Sequence, residues 1–92
     1  MPIDFLNFQH LYYFWIVARE GGISPASQVL DISPSTISSQ VGQLERALQV
    51  KLFRRVGRNI RLTGVGHIAF RYAEQIFGLG RELTHAVTGW DT

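Results

Sequence analysis

The sequence predicts a mainly α-helical fold: a helix, two further helices joined by a tight turn, a two-stranded β hairpin and a long C-terminal helix. Three observations carry this reading. The pair Ser-Pro occurs twice, at Ser24-Pro25 and Ser33-Pro34, each time ahead of an apolar-periodic segment. The spacing of apolar residues then changes from a helical to a strand-like period across Lys51 to Leu62. Beyond Thr63 a heptad-like spacing runs to the end of the chain. A basic hairpin that follows a helix-turn-helix is the layout of a winged helix, here extended by one long helix.

Asn7 can cap a first helix, Phe8 to Glu20, which Gly21-Gly22 would stop. Leu11, Phe14, Trp15 and Ala18 share one broad face, while Tyr12, Tyr13, Ile16 and Val17 make the remainder apolar or aromatic. A helix that is apolar nearly all round must be covered on more than one side. The second cover is expected from another helix or another subunit. Met1 to Leu6 reads as a loose or partly packed start.

Ser24 is expected to cap a short helix over Pro25 to Leu30. Asp31-Ile32-Ser33 is then the only link to the next helix, short enough for a helix-turn-helix. Ala26 and Ser27 are small enough to let the two helices pack closely, and Ile32 is expected to be buried in the turn. Ser33 is a good N-cap, and Pro34 suits the first helical position, where its missing N–H costs nothing. In this helix, Pro34 to Leu48, the residues Ile37, Val41, Leu44 and Leu48 form one apolar stripe. The opposite face carries Ser35, Ser38, Ser39, Gly42, Gln43 and Arg46. An ordinary solvated face would more often carry Glu and Lys. Short hydroxyls and amides suit close approach to a phosphate or a base edge; the plain alternative is a solvated face that happens to be rich in Ser.

Lys51 to Arg55 and Asn59 to Leu62 read as two strands connected by Val56-Gly57-Arg58. Leu52, Ile60 and Leu62 can face the core while the arginines stay wet. Thr63 should cap the last helix, Gly64 to Thr88, with Gly89 after it. Val65, Ala69, Tyr72, Ile76, Leu79, Leu83, Ala86 and Trp90 alternate spacings of four and three, and Phe70, Ala73, Phe77 and Thr84 form a second stripe. One stripe can pack on the body. The other needs a partner, because a helix about 37 Å long outreaches so small a body. Dimerisation through Val65, Ala69, Tyr72, Ile76, Leu79 and Leu83 is therefore expected. Gly78 and Gly80 weaken the helix and mark either a bend or a close helix contact. The expected division is a body over 1–62 and a linker helix with its tail over 63–92.

Ninety-two residues make one small domain, and a hydrophobic content of 46% excludes a disordered chain. The formal net charge is only +2, yet Arg46, Lys51, Arg54, Arg55, Arg58 and Arg61 fall in one block with no acid between Glu45 and Glu74. Such a block makes a local positive field suited to a polyanion. It is not one amphipathic helix, which argues against an anionic membrane surface. The absence of cysteine excludes disulfides and thiolate metal sites. A cytoplasmic protein is expected, since no long apolar run or leader is visible. His10, His67 and His85 lack metal-ligand spacing, Ser33 to Ser39 lies on a helix rather than a nucleophile elbow, and neither glycine pair of the last helix has a phosphate-loop context. Neither an enzyme nor a cofactor is expected. The competing reading is a winged helix used for protein–protein contact, against which the arginine cluster speaks.

Specific words of the sequence add to this order of elements. His10-Leu11-Tyr12-Tyr13-Phe14, Ala26-Ser27-Gln28-Val29-Leu30, Ile32 through Val41, Leu44-Glu45, Leu52-Phe53-Arg54-Arg55, Gly57-Arg58 and Leu62-Thr63 together resemble the N-terminal DNA-binding region of LysR-type transcriptional regulators. The resemblance covers about Phe8 to Thr88, and HLYYFW and KLFRRVGR look most like the sodium/proton antiporter regulator branch. It implies a dimer through the linker helix, with a higher oligomer open to a full-length form. It also implies that Pro34 to Leu48 enters the major groove while the wing touches the backbone or minor groove of double-stranded DNA. By position, Ser33, Pro34, Ser35, Thr36, Ser38 and Ser39 fall at contact positions of that helix, and Arg55 and Arg58 on the wing arginines. Ser24 and Arg54 complete the expected contact set. Many members have Arg where this chain has Ser39, Glu where it has Arg54, and an acidic or helix-favouring residue where it has Gly64. Full-length members also carry a ligand-sensing domain, so the 92 residues are expected to be a part of such a regulator or a short natural variant.

Overall fold

Among the described residues, six of the twelve buried apolar side chains come from one helix, which makes it the hub of the packing. A computed structural model describes residues 6–90. The element order is α1 (Phe8–Glu20), α2 (Ile23–Leu30), α3 (Pro34–Leu48), β1 (Phe53–Val56), β2 (Asn59–Leu62) and α4 (Gly64–Thr88). The loose start expected before Leu6 falls on residues 1–5, outside the described range.

Asn7 caps α1 by accepting from the His10 N–H at 3.0 Å. Gly21 closes the helix in the left-handed region at φ 87, a conformation that a side chain would strain, and its N–H donates to the Val17 carbonyl. Leu11, Tyr13, Phe14, Trp15, Ile16 and Val17 are all buried. The second cover is the chain's own α4, whose Phe70, Ala73 and Phe77 belong to the same cluster.

The start of α2 corrects the sequence reading. The helix begins at Ile23, two residues before Pro25, with Gly22 as N-cap and no side chain capping it. Ser24 therefore lies within the first turn and caps nothing. Pro25 is tolerated there, because the first turn has no carbonyls for its missing N–H to meet. The link to α3 is as short as expected. Asp31 takes a left-handed conformation, and Ser27 Oγ donates to the Ile32 carbonyl at 2.6 Å across the turn. Ile32 is half-buried rather than buried. Ser33 caps α3 as read from the sequence, its hydroxyl accepting from the Thr36 N–H at 3.3 Å. Ile37, Val41 and Leu44 are buried, and Leu48 packs half-buried beside them.

The hairpin is antiparallel, with Phe53 opposite Leu62, Arg54 opposite Arg61, Arg55 opposite Ile60 and Val56 opposite Asn59. β1 begins at Phe53, later than Lys51, because Leu52 is fully buried and its backbone serves other bonds. Its N–H donates to Glu45 and its carbonyl accepts from the Thr63 N–H at 3.0 Å. Val56 belongs to the strand, which leaves Gly57-Arg58 as a two-residue turn, with Gly57 at φ 64 as such turns require.

Thr63 does two jobs at the root of α4: its Oγ accepts from the Gly66 N–H at 2.9 Å and donates to the Lys51 carbonyl at 2.6 Å. Gly66 is buried hard against the Leu52 carbonyl. The two stripes of α4 divide differently from their spacing. Ala69 and Ile76 turn toward the core with Phe70, Ala73 and Phe77. Val65, Tyr72, Leu79 and Leu83 stay exposed, joined by Ile68 and Val87. From Leu79 to Trp90 every residue is exposed, so the end of α4 forms an arm only lightly tied to the body, with Arg81 reaching back over the Trp15 ring. Among the described residues, nothing lies within 4 Å of the position a Cβ would take at Gly78 or Gly80, so neither glycine serves a close contact there. No helix among the described residues is long and apolar enough to cross a membrane.

Candidate nucleic-acid interface

α3 and the wing meet along one cleft, lined among others by Ser38, Gly42, Arg54 and Arg55. The fold thus brings the hydroxyl-rich face and the arginine cluster to one side of the molecule. On α3, Ser35, Thr36, Ser38, Ser39 and Gln43 are all exposed. None of them contributes to the core, which takes Ile37, Val41 and Leu44 from the opposite face.

The start of α3 is held by hydroxyls. Ser33 Oγ donates to Thr36 Oγ1 at 2.9 Å and lies 3.3 Å from Ser35 Oγ. Ser33 and Thr36 are thereby fixed in orientation, while Ser38 and Ser39, one turn further on, have no protein partner among the bonds of the described residues. Pro34 is exposed at the first helical position. Short side chains on a rigid helix let a groove wall approach the backbone closely, and each hydroxyl can both donate and accept.

The wing register places Arg54 directly across from Arg61. Two like charges in adjacent cross-strand positions repel unless an anion lies between them. Arg55 and Arg58 sit at the hairpin tip, exposed, beside the start of α2, where they share a notch with Ser24. Arg54, Arg55 and Arg58 therefore present cations over the length of the hairpin, and Ser24 lies near two of them.

A carboxylate that the sequence did not single out ties the two parts together. Glu45, on the last turns of α3, accepts from the Leu52 N–H at 2.7 Å and from the Phe53 N–H at 3.3 Å. These are charge-assisted bonds, and they attach the root of the wing to α3. The only hint of this in the sequence is that Glu45 is the last acid before the basic block. His10 is half-buried, whereas His67 and His85 are exposed.

The comparisons with known proteins agree with this geometry. Residues 8–67 match the model of the bacterial regulatory helix-turn-helix proteins of the lysR family. The chain is 40% identical over 87 residues to the transcriptional activator protein NhaR of Escherichia coli, covering 95% of this chain and 29% of that one. It thus spans under a third of the length of that curated relative. Among solved structures, the BenM DNA-binding domain in complex with catB site 1 DNA superposes with a TM-score of 0.85 at 26% identity, over 90% of this chain and 93% of that one. The DNA complex of the CbnR DNA-binding domain superposes with a TM-score of 0.79 at 34% identity, over 91% and 98%.

Proposed function

Because the chain belongs to the lysR family of bacterial regulatory helix-turn-helix proteins, we propose that it is the duplex-reading part of a transcriptional regulator. The observation that carries this is the single cleft where the hydroxyl face of α3 meets the arginines of the wing. α3 enters the major groove, where Ser35, Thr36 and Ser39 bias the choice of bases and Ser33 and Ser38, with Pro34 at the helix start, lie against the backbone. Arg54, Arg55, Arg58 and Ser24 hold phosphates, which supplies affinity and register but no base preference.

The exposed stripe of α4 makes the chain a homodimer. Tyr72, Leu79 and Leu83 are each 63% exposed in the single chain, too large an apolar surface to leave in water. Val65 extends the stripe toward the wing, and Ala69 and Ile76 border it from the core side. Residues up to 62 then act as the reading head and residues from 63 as the arm that pairs two heads. A two-fold pair presents two copies of α3 and favours a near-palindromic site. The role is binding rather than catalysis, on the chromosome in the cytoplasm. The test is a titration against random duplex DNA at several salt concentrations. Binding that weakens steeply with salt supports the reading, since each neutralised phosphate adds about 0.9 to the log–log slope. Failure to bind any duplex at low salt overturns it and favours a protein-contact role.

A further inference from the structure

We propose that Trp15 is a positioning residue for operator geometry: it fixes the direction in which α4 leaves the body, and so sets the spacing between the half-sites that a dimer prefers. The proposal rests on the DNA-reading, dimeric function above. Its basis is that two points define an axis, and α4 is fastened at two. The first is its root, where Thr63 bonds the Lys51 carbonyl and buried Gly66 meets the Leu52 carbonyl. The second is Trp15, only 3% exposed. Its Nε1–H donates to Glu74 Oε2 at 3.0 Å, a bond between α1 and α4 across 59 residues of sequence. Its ring stacks on Phe77 at 4.9 Å and 26°, and Tyr12 meets Phe77 edge-on at 5.3 Å. The guanidiniums of Arg19 and Arg81 lie over the Trp15 ring at 4.8 and 5.9 Å, one from each helix.

Ala69, Phe70, Ala73 and Ile76 also pack on the body, but none of their side chains makes a hydrogen bond or ring stack among the described residues, and plain apolar contact is non-directional. A hydrogen bond and a ring stack specify an angle. The clasp also lies where its angle matters most: Phe77 and Gly78 are half-buried, and the whole arm from Leu79 onward is exposed. Without the clasp, α4 can pivot about its root. In a dimer joined through the arms, that pivot moves one recognition helix relative to the other.

The test takes a two-half-site duplex, selected by the wild-type chain from a random library, and varies its spacer one base pair at a time. Affinities are measured for wild type, Glu74→Gln, Glu74→Ala, Trp15→Phe and Gly80→Ala, with circular dichroism to confirm folding. Glu74 is exposed, so its variants keep the fold even if Trp15→Phe does not. Glu74→Gln retains an acceptor oxygen and is expected to keep the wild-type spacer preference. Glu74→Ala and Trp15→Phe are expected to flatten it, by about fivefold in the ratio of best to next-best spacer, the factor one net hydrogen bond is worth. Binding to a single half-site should be unchanged in every variant, which a merely destabilised fold would not give. A preference identical in Glu74→Ala and wild type, or one shifted only by Gly80→Ala, overturns the proposal and leaves DNA reading intact. A wild-type chain that binds no duplex overturns the function itself.

Discussion

Gly66→Ala and Gly80→Ala add the same methyl group to the same helix and should act with opposite sign. At Gly66 the new Cβ would fall well inside van der Waals contact with the Leu52 carbonyl oxygen, and 3.0 Å from both the Leu52 carbonyl carbon and Leu62 Cδ2. The oxygen belongs to backbone that is held in place, since it accepts from the Thr63 N–H and Leu52 N–H is bound by Glu45. Overpacking a core costs about 1–3 kcal/mol and occasionally more; with backbone as the obstacle, the upper end, about 3 kcal/mol, applies. At Gly80 there is open space, so the methyl meets nothing and removes the helical penalty of glycine, a gain of at most about 1 kcal/mol. For a chain of this size each kcal/mol moves the melting temperature by about 4–8 °C. Gly66→Ala should therefore melt some 12–24 °C below wild type, and Gly80→Ala up to about 8 °C above it. Thermal melts followed by circular dichroism, all at one protein concentration because a dimer melts concentration-dependently, measure both. Two variants that shift in the same direction, or a Gly66→Ala protein as stable as wild type, would show that α4 does not seat against the root of the wing as described.

Three further outcomes follow from exposed positions. Arg58→Ala and Arg55→Ala should each lower the log–log salt slope of duplex binding by about 0.9 and weaken all sequences alike; slopes equal to wild type would remove these residues from the phosphate contacts. Leu83→Lys places a charge on the arm at a side chain 63% exposed in the single chain, so the protein should stay folded but become monomeric by light scattering. An unfolded variant, or one still dimeric, would count against pairing through the arm. Ser39→Arg lengthens the reach of α3 into the groove, and selection from a random library should return a changed base preference, about 1–3 kcal/mol if the contact is bidentate; an unchanged site would mean that position 39 reads no base.

Devices confined to a few neighbouring residues could be read from the sequence. Asn7, Ser33 and Thr63 act as caps because each needs only the N–H groups two or three residues ahead of it. Gly21 and Gly57 take the positive φ angles that a helix stop and a two-residue turn demand. The same local logic misplaced α2, because Ser24-Pro25 and Ser33-Pro34 look alike while only Ser33 is itself extended and caps, Ser24 being already inside the helix. Periodicity showed that α4 has two stripes but not which faces inward. Ala69 and Ile76 lie at the border of both, and only the position of α1 draws them to the core. Bonds between distant residues were almost illegible: Trp15 to Glu74, and Glu45 to the backbone of Leu52 and Phe53, for which the sequence shows only that Glu45 is the last acid before the basic block. The first appears in the sequence only as one more aromatic in an apolar helix.

α3 divides its labour cleanly between two faces, and this bears on how such a chain can change over generations. Ile37, Val41 and Leu44 hold the fold, while Ser35, Ser38, Ser39 and Gln43 are exposed and form no part of the buried core. Substitutions at surface positions away from caps and cores usually alter stability by no more than about 0.5 kcal/mol. On the proposed reading, mutation can therefore explore new operators through position 39 with the scaffold nearly indifferent to the outcome. Ser33 and Thr36 lack that liberty, because the hydroxyls that cap and brace the start of the helix are the same ones proposed to face the DNA. Drift in recognition should run along the middle of the helix and leave its first turn in place.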